Sequence, residues 1–100
     1  MALLPIGSVC GSAVKGSDGE SLGSITEVMV DSESGAVAYA VLSYGGLLGV
    51  GEKLFAIDWR RLSADPDSGE LHADLSRDRL EALPGFDKDA WPTGPDPALG

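Results

Sequence analysis

The sequence predicts an all-β domain, a small barrel of five or six strands followed by a short C-terminal helix. Turn-forming pairs ending in glycine recur at short intervals, at Asp18-Gly19, Ser34-Gly35, Gly45-Gly46 and Ser68-Gly69. The segments between these pairs are short and rich in β-branched and aliphatic residues, a pattern typical of a meander or small barrel. A chain of 100 residues has room for one domain, which we place at residues 1–92.

The first half of the chain supplies three predicted strands, of which the first covers residues 8–15 and the second residues 22–31. In the second strand Ile25 and Val28 are an odd number of residues apart. A β-bulge near Thr26-Glu27 would return the apolar residues of this strand to one face. A hairpin loop at residues 31–35 follows.

The third predicted strand, residues 36–44, has apolar residues on both faces, which indicates burial on both sides. The fourth strand, residues 53–59, alternates so that its apolar residues from Phe55 to Trp59 share one face. Leu62 is predicted to lie in a short turn. A fifth strand follows at residues 70–75.

A short helix is predicted after the last strand. Ser76 is a suitable N-cap, Leu80 and Leu83 are spaced to share one helical face, and Pro84-Gly85 ends the helix. Residues 93–100 are rich in proline and glycine, and we predict a disordered tail there.

The charge balance is strongly acidic, with 7 basic against 16 acidic residues and a formal net charge of −9. Such a field repels phosphate backbones and anionic lipid surfaces, so neither nucleic acid nor direct membrane insertion is expected. The only adjacent basic pair is Arg60-Arg61. It either anchors a local carboxylate such as Asp58 or docks an acidic partner, and we favour the first interpretation.

The compartment is predicted from the start of the chain and from its apolar runs. The first residues are apolar, but no basic residue precedes Lys15, and Pro5 interrupts the run well short of a signal-peptide core. No stretch approaches the ~20 apolar residues of a membrane-spanning helix. The sequence therefore predicts a cytoplasmic protein.

The reactive residues form no recognisable catalytic, cofactor or metal pattern. His72 is either a proton carrier or, as we favour, a surface residue. Cys10 is either a reactive thiol or a half-buried core residue, and we favour the second. The acidic segments 31–35 and 65–70 suggest calcium loops. In the second, however, the glycine falls at position five of the loop, where an EF-hand needs it at position six, and we interpret both as solvated turns. We predict no enzyme activity, no cofactor and no metal.

The glycine-rich loop at residues 45–51 has an apolar tip and lacks the lysine and hydroxyl of a phosphate-binding loop. Its apolar tip is either an interaction surface or folds back onto its own barrel, and the sequence does not separate these two possibilities. The residues that we predict to make intermolecular contacts are Tyr39, Gly45, Gly46, Leu47, Leu48, Val50 and Trp59.

An ordered set of motifs runs through residues 16–62. It comprises Gly19-Glu20-Ser21-Leu22-Gly23-Ser24-Ile25, Val30-Asp31…Gly35, Val37-Ala38-Tyr39-Ala40-Val41-Leu42-Ser43…Gly45-Gly46, Leu47-Leu48-Gly49 and Phe55-Ala56-Ile57-Asp58-Trp59…Leu62. This set resembles the PRC-barrel family, which includes the cytoplasmic domain of the photosynthetic reaction-centre H subunit and the C-terminal barrel of the ribosome-maturation factor. The usual Pro-Trp of the family is Asp58-Trp59 here, and the later Leu80…Trp91-Pro92 resembles its closing segment.

The resemblance implies a small, strongly bent barrel that often works as a dimer or a docking module. We accordingly predict a non-enzymatic interaction module, homodimeric, that docks on a larger assembly. Its predicted partners are a second copy and an unidentified protein. The alternative, which the H-subunit likeness implies, is an accessory protein of a photosynthetic or other electron-transfer complex. That role needs buried ionisable residues along a path to a quinone, and the acids in this sequence are scattered.

Overall fold

The structure is a computed structural model that describes residues 3–45, 53–65, 68 and 70–99. In chain order its elements are α1 (Ile6–Val9), β1 (Ala13–Lys15), β2 (Ser21–Val30), β3 (Val37–Tyr44), β4 (Lys53–Ile57), a 3₁₀ turn (Trp59–Arg61), β5 (Leu62–Ala64), β6 (Leu71–Ala73), α2 (Arg77–Ala82) and a last 3₁₀ turn (Pro97–Leu99).

The six strands form one mixed sheet in the order β4-β3-β2-β1-β6-β5, which curls into a half-barrel. Neighbouring strands are antiparallel except β1 and β6, which are parallel. The predicted all-β fold with a short C-terminal helix is therefore confirmed.

A bulge in β2 lies where the alternation predicted it. The pairing of β2 with β3 shifts between Ile25 and Glu27, Ile25 is fully buried, and Val28 packs against the core. A second shift between Met29 and Val30 was not predicted. It is accompanied by 50% exposure of Val30, so the expectation that this residue shares the buried face is wrong.

Strand β3 is buried on both faces, as predicted. Ala40 and Leu42 belong to the main core, which lies on the inner face of the half-barrel. Tyr39 and Val41 form a second, smaller cluster with Ala56 of β4 on the other face. The sheet therefore needs a cover on its outer side, and the end of the chain supplies it.

The predicted first strand, residues 8–15, is shorter in the structure. Its early part lies instead in α1, where the Cys10 backbone N–H donates to the Ile6 carbonyl at 3.0 Å. Gly11 then adopts a φ of 91° before β1 begins at Ala13. Because this left-handed conformation suits glycine, it separates the helical turn from the strand.

Strand β4 ends two residues earlier than predicted, and the expected turn at Leu62 is instead the first residue of β5. The Asp58 carboxylate accepts a hydrogen bond from the Arg60 backbone N–H at 2.9 Å, which starts the 3₁₀ turn directly after Ile57. Leu62 packs against the main core opposite Ala73 of β6. Packing against the core thus converts a predicted turn into an edge strand.

The helix α2 begins and ends as the sequence predicts. The Ser76 hydroxyl accepts a hydrogen bond from the Arg79 backbone N–H at 3.2 Å, so Ser76 is the N-cap. Leu80 is fully buried in the main core and Leu83 packs against it. The chain leaves the helix through Pro84 and Gly85, where Gly85 has a φ of 72°.

Residues 84–99, which we call the strap, run back across β4. The expectation of a disordered tail at 93–100 differs from the structure, in which Leu99 is fully buried in the main core. The Asp96 backbone N–H donates to the Ala56 carbonyl at 2.9 Å, and the Asp58 N–H donates to the Leu99 carbonyl at 3.4 Å. Burial of one leucine and hydrogen bonds to β4 fix a segment that has no periodicity of its own.

Candidate interaction site

The β3–β4 hairpin carries the loop that the sequence singles out. Tyr44 pairs with Lys53 at the end of the ladder, and the chain leaves β3 through Gly45, which is exposed and has a φ of 72°. The predicted contact residues that follow lie outside the described part of the chain. These are Gly46, Leu47, Leu48 and Val50.

Tyr44 joins this hairpin end to helix α2. Its hydroxyl donates a hydrogen bond to the Glu81 carboxylate at 2.7 Å, and its ring meets Phe55 edge-on at 6.3 Å between centroids. The hydrogen bond to Glu81 raises the pKa of Tyr44, burial raises it further, and Arg77 opposes the rise. The Tyr44 hydroxyl thus lies between an acidic and a basic side chain of α2.

Lys53 makes the second connection between the hairpin and α2. Its ammonium donates to the backbone carbonyls of Glu81 and Leu83, each at 3.1 Å. These carbonyls lie at the C-terminal end of α2, where a cation is favourable. The base of the loop is therefore attached to α2 on both sides, through Tyr44 of β3 and through Lys53 of β4.

Tyr39, another predicted contact residue, lies near the other end of β3. It is 2% exposed, and its hydroxyl donates to the Pro92 carbonyl of the strap at 2.7 Å. Burial raises the pKa of the Tyr39 phenol. A partner can reach Tyr39 only if the strap moves, so the structure does not group this residue with Gly45.

Trp59, the remaining predicted contact residue, lies in the first 3₁₀ turn. It is partly buried and packs against the main core. It packs against the same core as Phe55 and Ile57, although β4 ends before it and the predicted strand face does not extend to it. The described contact candidates thus occupy three separate places. Gly45 lies at the end of the hairpin, Tyr39 lies under the strap, and Trp59 lies beside the core.

Asp58 is a junction between β4, the 3₁₀ turn and the strap. Its buried carboxylate accepts hydrogen bonds from the Arg60 guanidinium at 3.2 and 3.0 Å, besides the one from the Arg60 backbone. The favoured interpretation of Arg60 as the anchor of a local carboxylate is confirmed. Arg61 donates to the Asp74 carbonyl at 3.2 Å.

Replacing Asp58 with asparagine is expected to lower the free energy of unfolding at neutral pH. The hydrogen bonds from Arg60 hold the pKa of Asp58 below its ordinary value of 3.8. The stability that comes from the ionised carboxylate is therefore complete above pH 3.8 and is lost as the pH falls through the lowered pKa.

Urea denaturation of both proteins from neutral to strongly acid pH measures this effect. We expect the stability difference between wild type and Asp58→Asn to shrink in acid. A difference that stays constant with pH would show that the charge of Asp58 contributes nothing.

The remaining reactive residues lie apart from one another. His72 is partly exposed, and its Nε2 lies 3.1 Å from the Glu70 carboxylate, which also lies 3.6 Å from the Lys15 ammonium. Cys10 is a partly buried free thiol. Within the described residues no cluster of three or more His, Cys, Asp or Glu could hold a metal ion.

The acidic turns use their carboxylates on their own backbone. Asp31 accepts from the N–H groups of Glu33 and Ser34 at 2.8 and 3.3 Å. Asp65 accepts from the Ser68 N–H at 3.3 Å. These contacts are those of ordinary Asx turns.

The contact between the strap and β4 was not predicted from the sequence. The Phe86 N–H donates to the Leu54 carbonyl at 2.8 Å, on the same strand whose Ala56 carbonyl accepts from Asp96. The sequence offered one signal, the two aromatic residues Phe86 and Trp91. Neither belongs to a periodic pattern, so a search for helix or strand periodicity does not detect them.

Comparison with known families gives a match. The family model for the PRC-barrel domain matches residues 3–80, which include all six strands and stop before the strap. A comparison with curated proteins finds no match. Within the described residues, no helix has the length and apolar character needed to cross a membrane.

Proposed function

This chain belongs to the PRC-barrel domain family, and from that premise we propose that it is a non-enzymatic interaction module, which forms a homodimer and docks on a larger protein assembly. The family match and the curled six-stranded sheet support a small β-barrel module. We also propose a cytoplasmic location, and homodimerisation and docking are the parts of the proposal that we put to experiment.

The observation that carries the proposal is the attachment of the β3–β4 hairpin end. Tyr44 and Lys53 bind this end to α2, so the loop between them starts and finishes on a fixed base. Leu47, Leu48 and Val50 lie between these two residues in sequence, and their apolar side chains would contribute contact area to an interface. The net charge of −9 keeps copies soluble and leaves apolar contact as the attraction between them.

The homodimer is tested by the mass of the purified chain in solution. Size-exclusion chromatography with light scattering across a dilution series is expected to give twice the chain mass of 10.3 kDa down to low micromolar concentration. A monomer at every concentration would contradict the homodimer. Co-purification from cell extract would then test docking on another protein by itself.

Leu47→Asp and Leu48→Asp are expected to weaken the dimer by at least about tenfold, since a carboxylate is costly to bury in an apolar contact. The dissociation constant from the same dilution series measures the effect. Val30→Asp is the matched control, because Val30 is 50% exposed on β2, beside a different hairpin loop. Equal weakening by the control would point to general charge repulsion rather than to the loop.

The alternative, an accessory protein of an electron-transfer complex, has less support. Among the described residues Asp58 is the buried charged group, and its carboxylate is held by Arg60. A path of proton carriers needs several such groups in sequence. Absorbance and mass spectrometry of the purified protein test this alternative through any quinone that co-purifies.

A further inference from the structure

The sheet is polar on its outer side around β6. Leu71 and Ala73 of this strand are buried in the main core, whereas His72 between them is partly exposed. Because side chains alternate between the two faces of a strand, His72 points away from the core. The register places Lys15 of β1 and Ser63 of β5 directly beside His72, so these side chains share the outer face.

An open groove, which we call the basic groove, continues from this face towards α2. It consists of two adjoining depressions, of which the first contains Arg60 and the second Arg79, while Arg61 lies in both. Within the described residues its only acidic lining residue is Asp74. The basic groove therefore holds three of the 7 basic residues but one of the 16 acidic ones, in a chain whose net charge is −9.

Two of the three arginines are held in position by backbone carbonyls. Arg61 donates to the Asp74 carbonyl and Arg79 to the Ala98 carbonyl, each at 3.2 Å. A carbonyl carries no net charge, so these two bonds orient the guanidinium groups without neutralising them. Donors that are already oriented lose less side-chain entropy when a ligand binds.

The other cations of the basic groove have carboxylate neighbours. Asp58 compensates the charge of Arg60, yet the Arg60 side chain remains 87% exposed, so a further acceptor can reach it. Glu70 lies 3.1 Å from His72. Arg79, by contrast, forms no ion pair with any described residue. We therefore expect Arg79 to be the arginine whose charge is most available to a ligand.

The spread of the arginines favours several separate anionic groups over a single one. Arg60 and Arg79 lie in different depressions, so the three guanidinium groups do not converge on one point. Asp74, which lines both depressions, would repel a doubly charged phosphate more strongly than a singly charged carboxylate. Guanidinium groups bind carboxylates through paired hydrogen bonds. The basic groove thus fits carboxylates spaced along a chain.

We propose that the basic groove binds an acidic segment, rich in aspartate and glutamate, of a protein in the larger assembly. The inference rests on the docking part of the proposed function and not on the homodimer. At physiological ionic strength exposed charges are screened beyond about 8 Å, so the charges of the groove itself dominate where the segment binds. A longer polyanion such as nucleic acid also meets the acidic remainder of the surface. The groove lies on β1, β6 and β5, a different part of the sheet from the β3–β4 hairpin.

Fluorescence anisotropy of a labelled oligoglutamate peptide, titrated with the full-length protein, tests the basic groove. We expect the wild type to bind this peptide and not an oligoglutamine peptide. Arg79→Glu is expected to weaken binding at least about tenfold, because it reverses the charge of an oriented donor. Ser17→Glu is expected to do the same. Ser17 is exposed and lines both depressions, so this variant adds a carboxylate to the groove and keeps all three arginines.

Ser32→Glu is the matched control, because Ser32 is an exposed turn residue in the hairpin loop between β2 and β3. It adds the same charge as Ser17→Glu and should bind the peptide within about twofold of wild type. Equal weakening by Ser17→Glu and Ser32→Glu, with circular dichroism showing both variants folded, would overturn the groove. Absence of binding by wild type would overturn it as well.

Two competitors separate the acidic segment from other anions. Inorganic phosphate and a single-stranded oligonucleotide should each displace the peptide only at concentrations far above its own. Displacement by either one at a comparable concentration would contradict the acidic segment. Docking itself is tested by co-purification from cell extract, and a partner retained equally by wild type and Ser17→Glu would leave docking in place and overturn the groove.

Discussion

Gly23→Ala is expected to destabilise the domain by about 2–6 kcal/mol, a large part of the ~5–15 kcal/mol that holds a domain folded. Gly23 lies in β2 with a φ of 141°, a conformation that residues with a side chain rarely adopt. A Cβ there would overlap the carbonyl oxygen of Ser43 in the neighbouring strand. Backbone strain and steric overlap therefore add, in the middle of the sheet.

Urea denaturation, or the yield of soluble protein if the variant does not fold, measures this loss. Gly19→Ala is the matched control, since Gly19 has a φ of 82° with no atom within 4 Å of a built Cβ. The control should lose only the strain of about 1–2 kcal/mol. Equal losses in the two variants would mean that the contact with Ser43 is not the cause.

Leu99→Ala is expected to cost about 2–5 kcal/mol, as for other leucines removed from a closed core. Leu99 is fully buried among main-core residues although it is almost the last residue of the chain. Its loss leaves a cavity and releases the end of the strap from Asp58. Thermal denaturation measures the change, and limited proteolysis reports separately on the strap.

Leu3→Ala is the control for this second variant, because Leu3 is 85% exposed at the opposite terminus. Its stability should stay within about 0.5 kcal/mol of wild type. If Leu99→Ala were equally mild, Leu99 would not be docked against the main core in solution.

The elements predicted correctly are those that local pattern determines. The odd step between Ile25 and Val28 requires a bulge in any strand that buries both, and the bulge is present. Apolar residues on both faces of residues 36–44 require two covers, and both exist. The hydroxyl of Ser76 and the pair Pro84-Gly85 set the limits of α2 through local chemistry alone.

The elements missed depend on contacts between distant segments. The sequence around Leu62 predicted a turn. The segment is a strand, β5, because Leu62 packs against the main core. The strap has four prolines and no periodicity, yet Leu99 and the free edge of β4 fix it. For the same reason Tyr39 and Trp59 could be proposed as contact residues from their residue type alone. That they lie in separate places could be seen only in the fold.

The parallel pairing of β1 with β6 has a consequence for how the domain forms. Val14 lies beside Leu71, more than half the chain away, whereas β2, β3 and β4 pair with their neighbours in sequence. Strands that are neighbours in sequence pair quickly. Pairing of distant strands closes a long loop, and it is slower because native contacts must first compensate the loss of chain entropy. During synthesis the meander can therefore form early, while β1 keeps an unpaired side until residues 71–73 have emerged. Because β1 also pairs with β2, its neighbour in sequence, only the second side of β1 is secured late.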